Sequence, residues 1–121
     1  MRFEFLSDCE AVHASFTNYV LEEKADVDRW EREVSQKLAG FGRKVDLIID
    51  MSGLIVRAKA GSAFGVARAR VLKAYAKHSV RYGGDRATRT SVLTSAAIHA
   101  IEANFNETKE EAIAALRALR K

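Results

Sequence analysis

The stretch from Val45 to Gly53, VDLIIDMSG, constrains this chain more than any other. Val45, Leu47, Ile48 and Ile49 form an apolar, largely β-branched run, too short for a helix and too continuous for a strand with one wet face. Such a run predicts a central strand covered on both faces. Asp50 breaks the run where the strand should meet solvent, and Ser52-Gly53 turns the chain. In open α/β sheets, ligands and partners are met at the carboxyl ends of such strands. The stretch marks a working edge and names no chemistry.

With 121 residues and 48% hydrophobic content, one domain spanning residues 1–121 is expected. A chain of this length buries roughly two-thirds of the surface its unfolded form exposes, so it needs neither metal nor disulfide to fold. Cys9 is the single cysteine; no intrachain disulfide can form, and a reducing cytoplasm is the expected location. The N-terminus MRFEFLSDCE carries acids where a secretion signal has its apolar core. No apolar run approaches the ~18 residues of a membrane span.

The net charge of +4 hides an uneven distribution. Residues 1–56 are net acidic. Residues 57–89 hold nine basic side chains (Arg57, Lys59, Arg68, Arg70, Lys73, Lys77, Arg81, Arg86 and Arg89) against Asp85 alone. This asymmetry fits either an anionic partner or two solvated faces of opposite sign.

Alternation at Arg2 to Phe5 and at Val12 to Thr17, with Ser7-Asp8 between, predicts an N-terminal β-hairpin. Asp26 is a good N-cap for a helix burying Val27, Trp30, Val34 and Leu38. Its outer face would pair Asp28 with Arg32 and Glu33 with Lys37. Gly40 and Gly42 stop it. After the central strand, Ser62 can cap a second helix running to about Lys77, with Phe64, Ala67, Val71 and Tyr75 on one face. Ser79 to Tyr82 reads as a short strand ended by Gly83-Gly84-Asp85. A third helix from about Ser91 would bury Leu93, Ala96, Ala97, Ala100 and Ile101, and Phe105 suggests one edge pairing. Thr108-Lys109-Glu110-Glu111 opens a last helix that buries Ile113, Leu116 and Leu119. The order predicts an α/β fold: a hairpin, then alternating helices and strands. Its sheet of four to five strands is mixed but largely parallel, packed with about four helices. Leu47, Ile48, Ile49, Trp30 and Leu93 should be deeply buried.

The hairpin, the helix after Asp26, the strand and turn DLIIDMSGL and the closing FNETKEEAIAAL together resemble a STAS domain, the fold of bacterial anti-sigma factor antagonists, and its looser SpoIIAA-like relatives. In that family a strand of the type VILDLSGV is followed by an Asp-Ser-Ser-Gly motif opening a helix. The last helix there begins Thr-x-Glu-Glu-Ala, close to Thr108 to Ala112. Counted from Asp50, the family's Asp-Ser pair falls near Ala58-Lys59, followed by Ala60-Gly61. Lysine cannot be the phosphoacceptor that switches those antagonists, and Ser62 lies three residues late, within a one-turn shift. The resemblance implies the fold and partner binding on the loops, with an anti-sigma-like kinase or another regulator as partner, and without the usual phosphoserine switch.

Candidate site residues gather in two segments. Asp50, Ser52, Arg57, Lys59 and Ser62 follow the central strand. Arg86, Thr88, Arg89, Thr90 and Ser91 follow the turn Gly83-Gly84-Asp85, where a helix start offers free N–H groups and about +0.5 of an elementary charge to a phosphate or carboxylate. Alternatively, Thr88 or Thr90 merely caps the helix. Arg68 falls on the apolar face of the second helix, either laying its stem on the core and snorkelling outward or serving an anion or partner. No Walker loop, Gly-x-Ser-x-Gly, His-Glu-x-x-His or Cys-x-x-Cys occurs. His13, His78 and His99 lie far apart, and Cys9 with His13 supplies too few ligands for zinc. Asp46 and Asp50 could share a strand face as ordinary structural polarity.

The expected function is therefore that of a non-catalytic bacterial regulatory domain binding a protein partner, with no cofactor and no metal. The alternative is a binder of an anionic small molecule or lipid headgroup at the third helix start. A homodimer is compatible with the sequence. Nucleic acid is disfavoured because no recognition motif accompanies the basic segment.

Overall fold

The computed structural model describes residues 1–121. The chain runs β1 (Arg2–Leu6), β2 (Ala11–Ser15), β3 (Tyr19–Leu21), α1 (Lys24–Ala39), β4 (Val45–Asp50), β5 (Leu54–Val56), a 3-10 turn (Ala58–Ala60), α2 (Gly61–Tyr75), β6 (Ala76–Tyr82), α3 (Arg86–His99), β7 (Phe105–Asn106) and α4 (Lys109–Leu119). The main sheet has five strands in the order β1-β2-β4-β6-β7. Only the β1–β2 hairpin is antiparallel; β2–β4, β4–β6 and β6–β7 are parallel.

β4 lies mid-sheet with both faces covered, as its apolar run requires. Leu47 faces α1 and α2, joining Val27, Trp30, Val34, Leu38, Phe64, Ala67 and Val71 in one core. Trp30 meets Phe64 edge to face with ring centroids 5.0 Å apart. Ile48, the next residue, points the opposite way and packs with Val80, Ala112 and Leu116 under α4. Ile49 is only half-buried, contrary to expectation, because it stands where β4 approaches the sheet's edge at Asp50.

Several local readings change. α1 begins earlier than Asp26: that residue sits in the first turn, and its carboxylate accepts the Glu22 and Glu23 amides at 2.9 and 3.1 Å. The outer pairs are Lys24–Asp28 and Arg29–Glu33, not those to Arg32 and Lys37. The Tyr19 hydroxyl joins the second pair, donating to Glu33 at 2.8 Å while accepting from Arg29. β3 and β5 form a separate two-stranded parallel ribbon, too short to leave a periodic signal.

α3 differs most. It begins at Arg86 and packs on α2 and β5, not over the sheet. Its buried positions are Thr88, Val92 and Ser95, while Leu93 is 53% exposed and Ala97 and Ala100 also face solvent. The helix has a narrow, small-residue contact face, so its larger apolar side chains remain outside.

Candidate functional site

The carboxyl edge of β4 is built by short-range hydrogen bonds. Asp50 Oδ1 accepts the Ser52 amide at 2.9 Å, shaping the turn, and the Met51 amide donates to Tyr82 O at 2.9 Å, tying that turn to the end of β6. From this edge the chain enters α2 and α3. A methyl group on Gly61 would lie 3.7 Å from Ser91 Oγ, and one on Gly65 only 2.9 Å from Ser95 Cβ. The helices therefore run parallel, with Gly61 beside Ser91 and Gly65 beside Ser95, at a separation that only small residues allow. Thr88 fixes α3 against β5: the Val56 amide donates to its hydroxyl at 3.1 Å, and that hydroxyl lies 3.4 Å from Leu54 O.

Between α2 and α3 opens a cleft of about 810 Å³. Five of the residues singled out in the sequence line it: Arg57, Ser62, Arg86, Thr90 and Ser91. No acid lines it. Residues missed by sequence reasoning complete the wall, chiefly Gly65, Val66, Thr94, Ser95, Ile98 and His99. The spacing Gly61-x-x-x-Gly65 against Ser91-x-x-x-Ser95 was the available signal.

The remaining expected residues lie elsewhere. Asp50 and Ser52 stay at the strand-end turn. Lys59 is exposed on the 3-10 turn, 3.9 Å from Glu23. Arg86 and Arg89 do not converge: Arg89 folds back to donate to Gly83 O at 3.1 Å and stacks over Phe105 at 5.4 Å. Asp85, rather than Thr88 or Thr90, caps α3, accepting the Thr88 amide at 2.7 Å. Hydrogen bonds from Thr88, aided by nearby Arg57, hold its carboxyl below the usual range. A carboxylate thus already occupies the α3 start, where the anion was expected.

Arg68 does not snorkel. It is 4% exposed and donates inward to Ser95 Oγ at 3.3 Å and to the Glu102 carbonyl. Arg81, wholly buried, donates to Ser79 Oγ at 2.6 Å and to the carbonyls of Glu102 and Ala103. Burial lowers Arg68 to about 10 and pushes Arg81 well down, the neighbouring Arg68 charge adding to the effect. Together they clamp the segment leaving α3, and Glu102 returns its carboxylate to the Ser79 amide at 2.8 Å.

On the α4 side, His13 Nε2 lies 2.7 Å from Tyr82 Oη. Burial, then Lys109, lowers His13 below its ordinary 6.5; burial, then Asp50, raises Tyr82 to about 12. A histidine with a lowered folded pKa binds fewer protons folded than unfolded below pH 6.5, so its contribution to stability should fall as pH drops through that window. Replacing His13 with glutamine should flatten the loss of stability as the pH falls below 6.5 in urea melts; an unchanged slope would contradict the assignment.

No three His, Cys, Asp or Glu side chains gather closely enough to hold a metal ion, and no helix is long and apolar enough to cross a membrane. No protein-family model matches the chain. No curated protein matches its sequence. Among solved structures it is similar to the anti-sigma factor antagonist SpoIIAA in its unphosphorylated form, with a TM-score of 0.59 and 21% identity over 97% of this chain and 96% of that one. The likeness establishes the architecture: an α/β SpoIIAA-like, STAS-type fold with a mixed, mostly parallel five-stranded sheet and four helices.

Proposed function

We propose that this chain is a non-catalytic bacterial regulatory domain, acting as one unit in the cytoplasm and docking a protein partner at the carboxyl edge of its sheet and the adjoining faces of α2 and α3. One observation carries this reading. The acid-free cleft bearing Arg57 and Arg86 is also lined by two exposed apolar side chains, Val66 of α2 and Ile98 of α3. Soluble surfaces usually scatter such side chains; clustering beside unpaired cations suits an interface. The fold shared with an anti-sigma factor antagonist supports a partner of the anti-sigma kinase type or another regulator. No hydroxyl lining the cleft is hydrogen-bonded to a histidine or carboxylate that would activate it, which favours binding over catalysis.

Counted from Asp50, Lys59 falls near the place where the resembled family has its phosphoacceptor, which supports docking without phosphorylation at that position. Ser62 is the nearby exposed hydroxyl, at the start of α2. A kinase assay read by mass spectrometry should leave it unmodified; stoichiometric phosphate on Ser62 would restore the switch, since a helix start favours a doubly charged group.

The docking test is differential. A partner captured from native lysate by the wild type should be lost by the double variant Arg57→Glu, Arg86→Glu and kept by Lys73→Glu, Lys77→Glu, which alters exposed cations elsewhere on the surface. Equal retention by all three proteins would reject the cleft as the docking surface.

A further inference from the structure

We propose that the α2–α3 cleft is also a binding site for a small anionic amphiphile, a molecule with one phosphate or carboxylate head and a single aliphatic chain. This inference does not depend on a protein partner. Its volume, about 810 Å³, lies in the range of small-molecule sites. The polarity of the cleft changes along its length. Arg57 and Arg86 stand at the end where both helices begin, both exposed and neither in an ion pair. The carboxylate nearest that end, Asp85, is engaged with the Thr88 amide. The first turn of α2 receives no side-chain cap and continues directly from the 3-10 turn, whose Arg57 and Ala58 carbonyls accept the Ala60 and Gly61 amides, so the head group is left to the two arginine side chains.

The hydroxyl of Ser62, in the first turn of α2, and those of Thr90 and Ser91, one turn into α3, line the walls. At Gly65 the absent side chain lowers the floor. The far end is apolar, with Val66 41% and Ile98 70% exposed. Arg86 and Ile98 are twelve residues apart on one helix, roughly 18 Å. At roughly 1.2 Å per bond, an extended chain of about ten carbons with its head group spans most of that distance. A head group without a tail would leave Ile98 wet, and a tail without a head would leave the arginines unpartnered.

The probe is decyl phosphate, kept below its micelle-forming concentration and titrated into the full chain by calorimetry and by amide NMR. Inorganic phosphate and decanol serve as head-only and tail-only arms. Decyl phosphate should bind with shifts concentrated at Gly61, Gly65, Thr90 and Thr94, about a hundredfold more tightly than inorganic phosphate. Arg57→Gln with Arg86→Gln should weaken it by about tenfold. Ile98→Ser should weaken decyl phosphate but leave inorganic phosphate unchanged. Shifts mapping elsewhere on the wild type, equal binding of the two phosphates, or full affinity in the double variant would each overturn the site. The shift map needs no variant, so the proposal stays testable should any substitution unfold the chain.

Discussion

Replacing Gly53 with alanine should destabilise the fold by about 3 kcal/mol or more, through the backbone alone. Gly53 links β4 to β5, and a methyl group there would lie 1.8 Å from Phe16 O and 2.6 Å from Phe16 C. Neither atom belongs to a flexible side chain, so one of the two crossing segments must move. The Tyr19 amide, which donates to Gly53 O at 2.9 Å and starts the β3–β5 pairing, would move with it. The consequence reaches the cleft, because β5 carries the Val56 amide that anchors Thr88 of α3. Urea melts against Ser52→Ala, a change at the exposed neighbour, give the measurement. A loss below about 0.5 kcal/mol would mean that the chain does not cross so closely there.

Ile48→Ala should cost about 2–5 kcal/mol, the range for truncating a large aliphatic side chain in a closed core. Ile48 is wholly buried between β4's neighbours and α4, with Val80, Ala112 and Leu116 around it. The half-buried Ile49 provides the comparison, and its truncation should cost clearly less. Near-equal losses, or a loss at Ile48 under about 0.5 kcal/mol, would contradict the alternation of β4 between its two cores.

How much of this was legible from the chain depended on whether packing left a periodic trace. β4 did, because a strand covered twice must be apolar at successive positions. So did α1, whose buried residues fall at Val27, Trp30, Val34 and Leu38. The start of α4 was readable from local chemistry: Thr108 Oγ1 accepts the Glu111 amide at 3.1 Å, one half of the expected capping box, while the Glu111 carboxylate accepts the Glu107 amide at 3.3 Å instead of that of Thr108. α3 was not readable in the same way. It buries Thr88, Val92 and Ser95, small or polar residues, so apolar periodicity selects Leu93 and places the exposed face inside. The same error hid the cleft, whose wall is that small-residue face. Arg68 was misread because its partners, Ser95 Oγ and the Glu102 carbonyl, lie 27 and 34 residues away, beyond any local pattern. Of the expected site residues, Arg57, Ser62, Arg86, Thr90 and Ser91 line one cleft, while Thr88, Arg89 and Arg68 hold the framework around it.

Docking of a partner in the α2–α3 cleft, as proposed, would place that partner within reach of Thr90. Photo-cross-linking is the measurement: a benzophenone side chain is placed at Thr90 in the cleft wall, or at the exposed Gln36 on α1, in otherwise unchanged protein expressed in its own cells. One dominant protein adduct should form from position 90, absent from position 36 and suppressed when Arg57 and Arg86 are reversed in charge. Adducts of equal yield from both positions, or an adduct from position 36 alone, would contradict it.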